Sequence, residues 1–228
     1  MSKTKILGLI PARGGSKGIL KKNLYPFNNK PLIEWTIESA RNSNLLDEII
    51  VSTDDNSIAN FSKRLGVNVP FLRDKKLAED NSLIIDTVLD LIKKFNQYSH
   101  VLLLQPTSPL RTHVDIKNII NIREEHNAES VVSVSESKEN PALFFNINKN
   151  NYLSKSFDNE KSSNRQTYKK HYVLNGALFL ASLEHLKEFR SFISKSTMPY
   201  IMPLERSIDI DNLIDLKWGE FILKNKNL

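Results

Sequence analysis

The sequence predicts an α/β fold in which a mainly parallel sheet is covered by helices on both faces. From the N-terminus to Val134, short apolar runs that suit buried strands alternate with segments of helical periodicity. Such near-continuous apolar strands are typical of parallel sheets with both faces covered. A chain of 228 residues with 40% hydrophobic content can also bury a sizeable core as one domain.

The strands of this sheet are indicated by short runs rich in isoleucine, leucine and valine. They are expected at Lys5–Ala12, Glu48–Thr53, Asn68–Leu72, His100–Gln105 and Ser130–Val134. Between them, apolar residues recur at helical spacing, and Pro31 suits the first turn of a helix. Helices are expected from Pro31 through Ala40 and over Asp55–Leu65, Leu83–Phe95 and Val114–Glu125.

The pattern changes over about residues 137–172. Strand-like pieces at Leu143–Ile147 and Asn151–Leu153 are separated by polar residues, and no long helix is indicated. We interpret this segment as a β-rich arm inserted into a single domain of residues 1–228. Its aromatic side chains need a surface to pack on, and a second subunit can supply one, so we expect a homodimer. These aromatic residues are Phe144, Phe145, Tyr152, Phe157, Tyr168 and Tyr172.

After the arm the α/β pattern returns. A strand is expected at Asn175–Ala181, followed by a short helix, a strand through Ile208–Asp211 and a closing helix from about Leu213 to Leu223. The whole pattern indicates a Rossmann-like sheet. Ligands in such sheets bind at the carboxyl ends of the strands.

Composition excludes several functions. The chain has no cysteine, which excludes cysteine nucleophiles and thiolate metal sites and suits a reducing cytoplasm. The five histidines show no metal-ligand spacing, so zinc is disfavoured. No apolar run reaches membrane-spanning length, and no cleavable signal pattern is present. The net charge of +6 is spread along the chain and is not interleaved with aromatic residues, so neither nucleic acid nor a membrane is expected as a partner.

The loop after the first strand reads "IPARGGSKGILKKN", from Ile10 to Asn23. It matches neither G-x-x-x-x-G-K-[ST] nor G-x-G-x-x-G. Its glycines let backbone N–H groups approach a ligand closely, and its basic side chains supply positive charge. The residues concerned are Arg13, Gly14, Gly15, Lys17, Gly18, Lys21 and Lys22. The loop therefore predicts a polyphosphate site; a flexible turn with solvated lysines is the alternative.

Two further stretches carry polar side chains at expected strand ends. "LLLQPTSPLR" places polar residues from Gln105 to Arg111 on a proline-stiffened loop, which suits a polar substrate such as a sugar acid. In "SIDIDN", Asp209 and Asp211 lie two apart on an expected strand, so their carboxylates should share a face. Mg²⁺ is typically held by one or two carboxylates together with substrate phosphates. A proline-braced turn and helix-capping aspartates are the respective alternatives.

Together these stretches resemble the CMP-sialate synthetase family, the cytidylyltransferases that activate sialic acid and related nine-carbon sugar acids. The matching segments are "IPARGGSKGILKKN", "IIVSTDD", "FLRDKKLAED", "LLLQPTSPLR", "NGALFL" and "SIDID", in the family's order over nearly the whole chain. The resemblance implies transfer of CMP from CTP to the anomeric hydroxyl of a sugar acid, with release of pyrophosphate. A cytidylyltransferase for an eight-carbon sugar acid and a non-catalytic nucleotide-binding protein are the alternatives.

The resemblance also implies roles for individual residues. Those implied for CTP binding are Arg13, Gly14, Gly15, Ser16, Lys17, Lys22, Asn23 and Arg73. Those implied for catalysis are Arg13, Lys22 and Asp211. Gln105 would meet the sugar acid, and Arg165 would approach it from the arm. Asp209 and Asp211 would hold Mg²⁺ or Mn²⁺.

Two positions depart from the pattern that the resemblance implies for users of N-acetylneuraminate. Those enzymes have a lysine shortly after the proline of the arm and an arginine two residues before the Asn-Gly pair. Here these places hold Leu143 and Val173. Apolar walls would suit a sugar acid that ends in a methyl group, so a legionaminate-type acid is the expected substrate.

Overall fold

The computed structural model of the protein describes residues 4–157 and 170–225. The strands are β1 (Ile6–Pro11), β2 (Pro26–Phe27), β3 (Lys30–Pro31), β4 (Glu48–Ser52), β5 (His100–Leu104), β6 (Ser130–Glu136), β7 (Phe145–Ile147), β8 (Leu153–Lys155), β9 (Tyr172–Ser182) and β10 (Met198–Ile201). The helices are α1 (Leu32–Ser43), α2 (Asn56–Arg64), α3 (Ile84–Lys94), α4 (His113–His126), α5 (Leu183–Phe189) and α6 (Leu213–Lys224). Within these ranges no helix is long and apolar enough to cross a membrane.

Six strands form the central sheet in the order β10-β6-β9-β5-β1-β4. β1 lies parallel to both β4 and β5, and β6 lies parallel to β10. β9 is antiparallel to both of its neighbours, β5 and β6. The mainly parallel sheet predicted from the sequence is therefore confirmed.

Both faces of this sheet are covered, as alternation along β1 illustrates. Ile6 and Ile10 pack in a buried cluster with residues of α1, α2 and α4. Leu7 and Leu9 point to the opposite face and pack with residues of α3 and α5. Because successive residues of a strand face opposite sides, both sets must be apolar when both faces are buried. The predicted helices on two faces are confirmed.

Two predicted strands are wrong. Asn68–Leu72 makes only isolated parallel bridges to β4 and the residue after it, because Pro70 lacks an N–H to extend a ladder. Ile208–Asp211 is not a strand either, because its N–H groups bind elsewhere. The Ile210 N–H donates to the Thr107 carbonyl at 2.7 Å, and the Asp211 N–H donates to Asp215 Oδ2 at 2.9 Å. The last strand of the sheet is instead β10.

The described part of the arm forms a small antiparallel hairpin. β7 pairs with β8, with Phe145 opposite Lys155, and every residue of both strands is exposed. The first predicted piece is shortened by a 3₁₀ turn at Pro141–Leu143, and the second lies two residues later than expected. At the base of the arm the Ser137 N–H donates to the His171 carbonyl at 2.8 Å. Arg165 and Tyr168 lie outside the described residues.

Candidate active site

A cavity of about 590 Å³ lies at the carboxyl ends of β1 and β5. Pro11, the last residue of β1, lines it, as do Pro106 and Thr107 just beyond β5. The sequence-predicted residues that line it are Arg13, Ser16, Lys17, Gly18, Lys22, Asn23, Arg73, Gln105 and Asp211. Residues from four distant parts of the chain thus meet at the strand edge where ligands of such sheets bind.

The glycine loop is fixed by contacts at several points. The Gly14 N–H donates to Asp54 Oδ1 at 2.9 Å, and the Asn23 side-chain amide donates to the Arg13 carbonyl at 2.8 Å. Gly18 approaches the backbone of Asp211 so closely that a Cβ at this position would lie 2.1 Å from the Asp211 carbonyl oxygen. Gly14 and Gly15 do not line the cavity, and Gly15 faces open space.

Two cationic side chains of the loop converge on one carboxylate, that of Asp80. Arg13 Nη1 and Lys17 Nζ each lie 2.8 Å from an Asp80 carboxylate oxygen. Hydrogen bonds from Lys17 and Arg13 lower the pKa of Asp80. Because these ion pairs are exposed to solvent, they contribute little to stability. A triphosphate offers the same kind of oxygen ligands and can therefore replace Asp80 at a small free-energy cost.

Lys22 links the loop to the segment before α6. Its Nζ donates to the Ile210 carbonyl at 2.8 Å and to Asp211 Oδ1 at 2.9 Å. The Lys22 side chain is largely buried, at 14% exposure, whereas the Asp211 side chain is 72% exposed. The arrangement presents a fixed ammonium group beside a carboxylate that is free to bind a further ligand.

Asp209 lies near Asp211 but outside the cavity lining. Gly176 has a φ of +75°, a backbone conformation that strains an L-residue, and a Cβ there would make ordinary contacts at 3.4 Å with Gln105 Oε1 and 3.7 Å with Asp209 Oδ2. Asp209 is exposed on one side, yet the protein groups packed on its other side desolvate it and raise its pKa. The charge of Asp211 raises this pKa further, and a hydrogen bond from Thr107 offsets part of the effect.

Arg73 and Asn23 supply buried hydrogen-bonding groups to the cavity. Arg73 is 7% exposed and Asn23 is 6% exposed. Arg73 Nη1 donates to Thr87 Oγ1 at 3.3 Å, and Nη2 lies 3.8 Å from Asp54 Oδ1. Burial lowers the pKa of Arg73, and the charge of Asp54 offsets part of this shift. Arg73 Nε and Nη2 are buried and have no hydrogen-bond partner within residues 4–157 and 170–225.

Residues 7–225 match the family model described as cytidylyltransferase. The chain belongs to the cytidylyltransferase family. The protein is therefore a nucleotidyltransferase.

Named relatives of this cytidylyltransferase agree with the family match. It is 39% identical to the CMP-N,N'-diacetyllegionaminic acid synthase of Legionella pneumophila subsp. pneumophila, over 96% of this chain and 97% of the relative. It is 31% identical to the N-acylneuraminate cytidylyltransferase of Escherichia coli O18:K1:H7, over 99% of this chain but 54% of that protein, so it spans about half of that relative's length. A solved structure of CMP:2-keto-3-deoxy-manno-octonic acid synthetase complexed with CTP has a TM-score of 0.74 at 14% identity, over 98% of this chain and 100% of the other, and thus shares the fold.

The structure of this cytidylyltransferase brings in residues that the sequence did not single out. Those that contact the predicted residues or line the cavity are Asp54, Asp80, Ser82 and Thr87, whereas Thr107 belongs to the polar loop of residues 105–111 that the sequence did indicate. The acidic residue of "LAED" was a signal for Asp80, since an acid close to a cationic loop is a natural ion-pair partner. Leu143 and Val173 are about half exposed, at 48% and 52%, and lie outside the described lining of the cavity.

Among the described residues no group of three or more histidine, aspartate and glutamate side chains could hold a metal ion. Of the two carboxylates that the sequence analysis expects to hold a cation, Asp211 lines the cavity and Asp209 does not; Asp80 also lines it but is paired with Arg13 and Lys17. Two carboxylates suit Mg²⁺ or Mn²⁺ only where substrate phosphates complete the ligand set.

Proposed function

We propose that the protein transfers CMP from CTP to the anomeric hydroxyl of a nine-carbon sugar acid. The observation that carries this proposal is the cavity in which Arg13, Lys17 and Lys22 lie beside Gln105 and Asp211. The names of the two relatives that act on legionaminic acid and N-acylneuraminate support the substrate class. We include a cytoplasmic location in this proposal, because a chain without cysteine suits a reducing compartment.

In this reaction the anomeric oxygen of the sugar acid forms a bond to the α-phosphorus of CTP. The bond from the α-phosphorus to the bridging oxygen breaks, the electron pair leaves with pyrophosphate, and the hydroxyl proton is released. Arg13, Lys17 and Lys22 bind the triphosphate and neutralise charge on it, while Gln105 orients the sugar acid. Positioning and charge neutralisation carry most of the catalysis in such transfers, so no protein nucleophile is needed.

A divalent cation, Mg²⁺ or Mn²⁺, fits the donor set of Asp209 and Asp211. Desolvation raises the pKa of Asp209, and the nearby charge of Asp211 raises it further. A cation placed beside the two carboxylates would therefore be favourable. Oxygen ligands of this kind together with phosphate oxygens are what both cations prefer. When bound, the cation would add charge neutralisation on the triphosphate. Lys22 would keep Asp211 in place through its 2.9 Å contact.

We expect the protein to release pyrophosphate from CTP and Mg²⁺ only when a nine-carbon sugar acid is added. A methyl-terminated, legionaminate-type acid should be used with a kcat/KM about tenfold above that for N-acetylneuraminate, since burying one methyl group contributes roughly 1 kcal/mol and the hydroxylated end of N-acetylneuraminate would also lose water contacts. The measurement is a coupled pyrophosphate assay at saturating CTP with legionaminic acid, N-acetylneuraminate and an eight-carbon sugar acid.

The matched variant for this comparison is the double change Leu143→Lys with Val173→Arg. It restores the two basic residues that the resemblance implies for users of N-acetylneuraminate, so it should shift the kcat/KM ratio towards that acid. A clear wild-type preference for N-acetylneuraminate would contradict the legionaminate proposal alone. Preference for the eight-carbon acid would contradict the nine-carbon assignment, and CTP binding without turnover would indicate a non-catalytic binder.

We also propose a homodimer formed through the arm of residues 137–172. The described arm exposes many large apolar side chains: Leu143, Phe144, Phe145, Ile147, Tyr152, Leu153 and Phe157. Exposed apolar area of this kind is typical of an interface. In such a dimer the arm would bring Arg165 towards the partner's sugar-acid site.

Ile147→Glu is expected to convert the dimer into a monomer, because it places a charge in the proposed interface. Light scattering at micromolar concentration should give about twice the chain mass of 26.1 kDa for the wild type and about that mass for the variant. The matched control is Ile214→Glu on α6, since Ile214 is 79% exposed and Ile147 is 72% exposed. A monomeric wild type, or equal effects of both changes, would rule the proposed interface out.

A further inference from the structure

One buried side chain joins the backbone of Gln105, which lines the cavity, to the backbone of the neighbouring strand β9. Arg111 is 2% exposed. Its Nη1 donates to the Gln105 carbonyl at 3.1 Å and to the Ala177 carbonyl at 2.9 Å. Gln105 is the first residue after β5, and Ala177 lies within β9, the antiparallel neighbour of β5. A single guanidinium nitrogen thus bridges the residue after β5 and an interior residue of the adjacent strand β9.

The regular sheet ladder does not fix the backbone at this place. The pairing of β5 with β9 ends at Leu104 opposite Leu178, and the register of β6 with β9 shifts between Val132 and Val134. Gly176, in the irregular part, lies next to Gln105 Oε1 and Asp209 Oδ2. The Arg111 bridge lies just beyond the last β5–β9 pair, so it continues the connection where the ladder stops.

This arginine is costly to the fold. Its Nε and Nη2 have no hydrogen-bond partner within the described ranges, and no carboxylate forms a salt bridge with it there. Burial lowers the pKa of Arg111 to about 9. The charge of Asp115 offsets part of this shift in pKa, but the Asp115 carboxylate forms its salt bridge with Arg206, at 2.9 Å, and not with Arg111. A buried, under-satisfied charge is a departure from the rules of stable packing, and such departures occur where function requires them.

We propose that Arg111 is a positioning residue for the sugar acid, holding the Gln105 and Ala177 backbones at a fixed separation through its two carbonyl contacts. It does not touch substrate, and it acts only through the backbone that it bridges. The CTP loop of residues 13–23 makes no hydrogen bond to it in the described structure. The inference rests on the proposed function for the role of Gln105, whereas the mechanical bridge stands on the contacts themselves.

The test compares Arg111→Met and Arg111→Lys with the wild type. Arg111→Met should raise the KM for the sugar acid on the order of tenfold and leave the KM for CTP within about twofold, because hydrogen bonds from a charged donor are lost on one side of the cavity only. Arg111→Lys keeps charge and donors, so it should recover much of the affinity for the sugar acid. Equal rises in both KM values, or a loss of thermal stability alone, would show a merely structural role.

The matched control is Arg123→Met at the opposite end of β5. Arg123 is half-buried, and it donates from Nε to His100 at 3.2 Å and from Nη1 to Thr4 at 3.1 Å. It should lower the melting temperature without changing the ratio of the two KM values. If Arg111→Met does not fold, Arg111→Lys takes its place: a smaller rise in the ratio of the sugar-acid KM to the CTP KM is expected, and an unchanged ratio together with unchanged amide exchange at Gln105 and residues 176–178 would overturn the bridge.

Hydrogen exchange provides a readout that is independent of turnover. In Arg111→Met, amide exchange should rise at Gln105, Thr107 and residues 176–178 and stay unchanged at residues 13–23, and Arg111→Lys should show a smaller rise at the same places. In Arg123→Met, amide exchange should increase at the other end of β5 instead. Unchanged exchange at Gln105, Thr107 and residues 176–178 would overturn the positioning role. If the wild type converts no sugar acid, the proposed function fails, and these exchange data still decide whether the bridge holds the two strands.

Discussion

Asp211→Asn is expected to lower turnover on the order of a thousandfold while the protein stays folded. Asp211 lines the cavity with an exposed carboxylate and is the partner of Lys22 at 2.9 Å. An amide binds a divalent cation far more weakly, so several kcal/mol of charge stabilisation in the transition state is lost, which corresponds to roughly that factor. The fold should survive because Asp211 connects to α6 through its backbone N–H, which donates to Asp215.

The measurement is the rate of pyrophosphate release at saturating CTP and sugar acid, with thermal unfolding and circular dichroism as checks on folding. Titration of Mn²⁺ into the CTP complex provides a second readout, and the variant should bind the cation more weakly. Asp209→Asn should cost less, because Asp209 lies outside the cavity lining. Asp90→Asn, which alters an exposed pair with Lys94 on α3, is the control for loss of a carboxylate elsewhere. Full wild-type activity in excess chelator would disprove the requirement for a cation.

The central sheet could be predicted because its strands are buried on both faces. In β1 and β5 every position between Ile6 and Ile10, and between Val101 and Leu104, is buried, so the sequence there is an almost unbroken apolar run. Ile208–Asp211 misleads for the opposite reason. Its alternation of isoleucine and aspartate has the period of a strand, but the hydrogen bonds that decide the matter lead to Thr107 and Asp215.

Some residues of the candidate site could be recognised from their neighbours in the sequence, whereas others depend on contacts between distant segments. The glycine loop could be recognised because its cations and glycines are neighbours in sequence. Asp54 and Asp80 could not be assigned, because their contacts with Gly14 and with Arg13 depend on how distant segments meet at the sheet edge. The bridge of Arg111 is equally invisible in the sequence, since its partners are two backbone carbonyls, which every residue possesses.

Gly18→Ala is expected to lower kcat/KM on the order of a hundredfold, although it adds only one methyl group. A Cβ at Gly18 would lie 2.1 Å from the Asp211 carbonyl oxygen and 3.2 Å from its carbonyl carbon, and real Cβ contacts are never that short. The contacting atoms are backbone, so either the loop or the segment before α6 must shift. Such a shift separates Lys22 from Ile210 and Asp211, which it holds at 2.8 and 2.9 Å, and a displacement of about 1 Å costs roughly that factor.

Gly15→Ala is the matched comparison, because it makes the same chemical change in the same loop where nothing lies within 4 Å of the new Cβ. Its loss of kcat/KM should therefore be much smaller than that of Gly18→Ala. Both variants are measured by pyrophosphate release over a range of CTP concentrations, and their melting temperatures are compared with that of the wild type. Equal losses in the two variants would mean that general stiffening of the loop matters. A loss confined to Gly18→Ala would mean that activity depends on the close approach of the phosphate loop to Asp211.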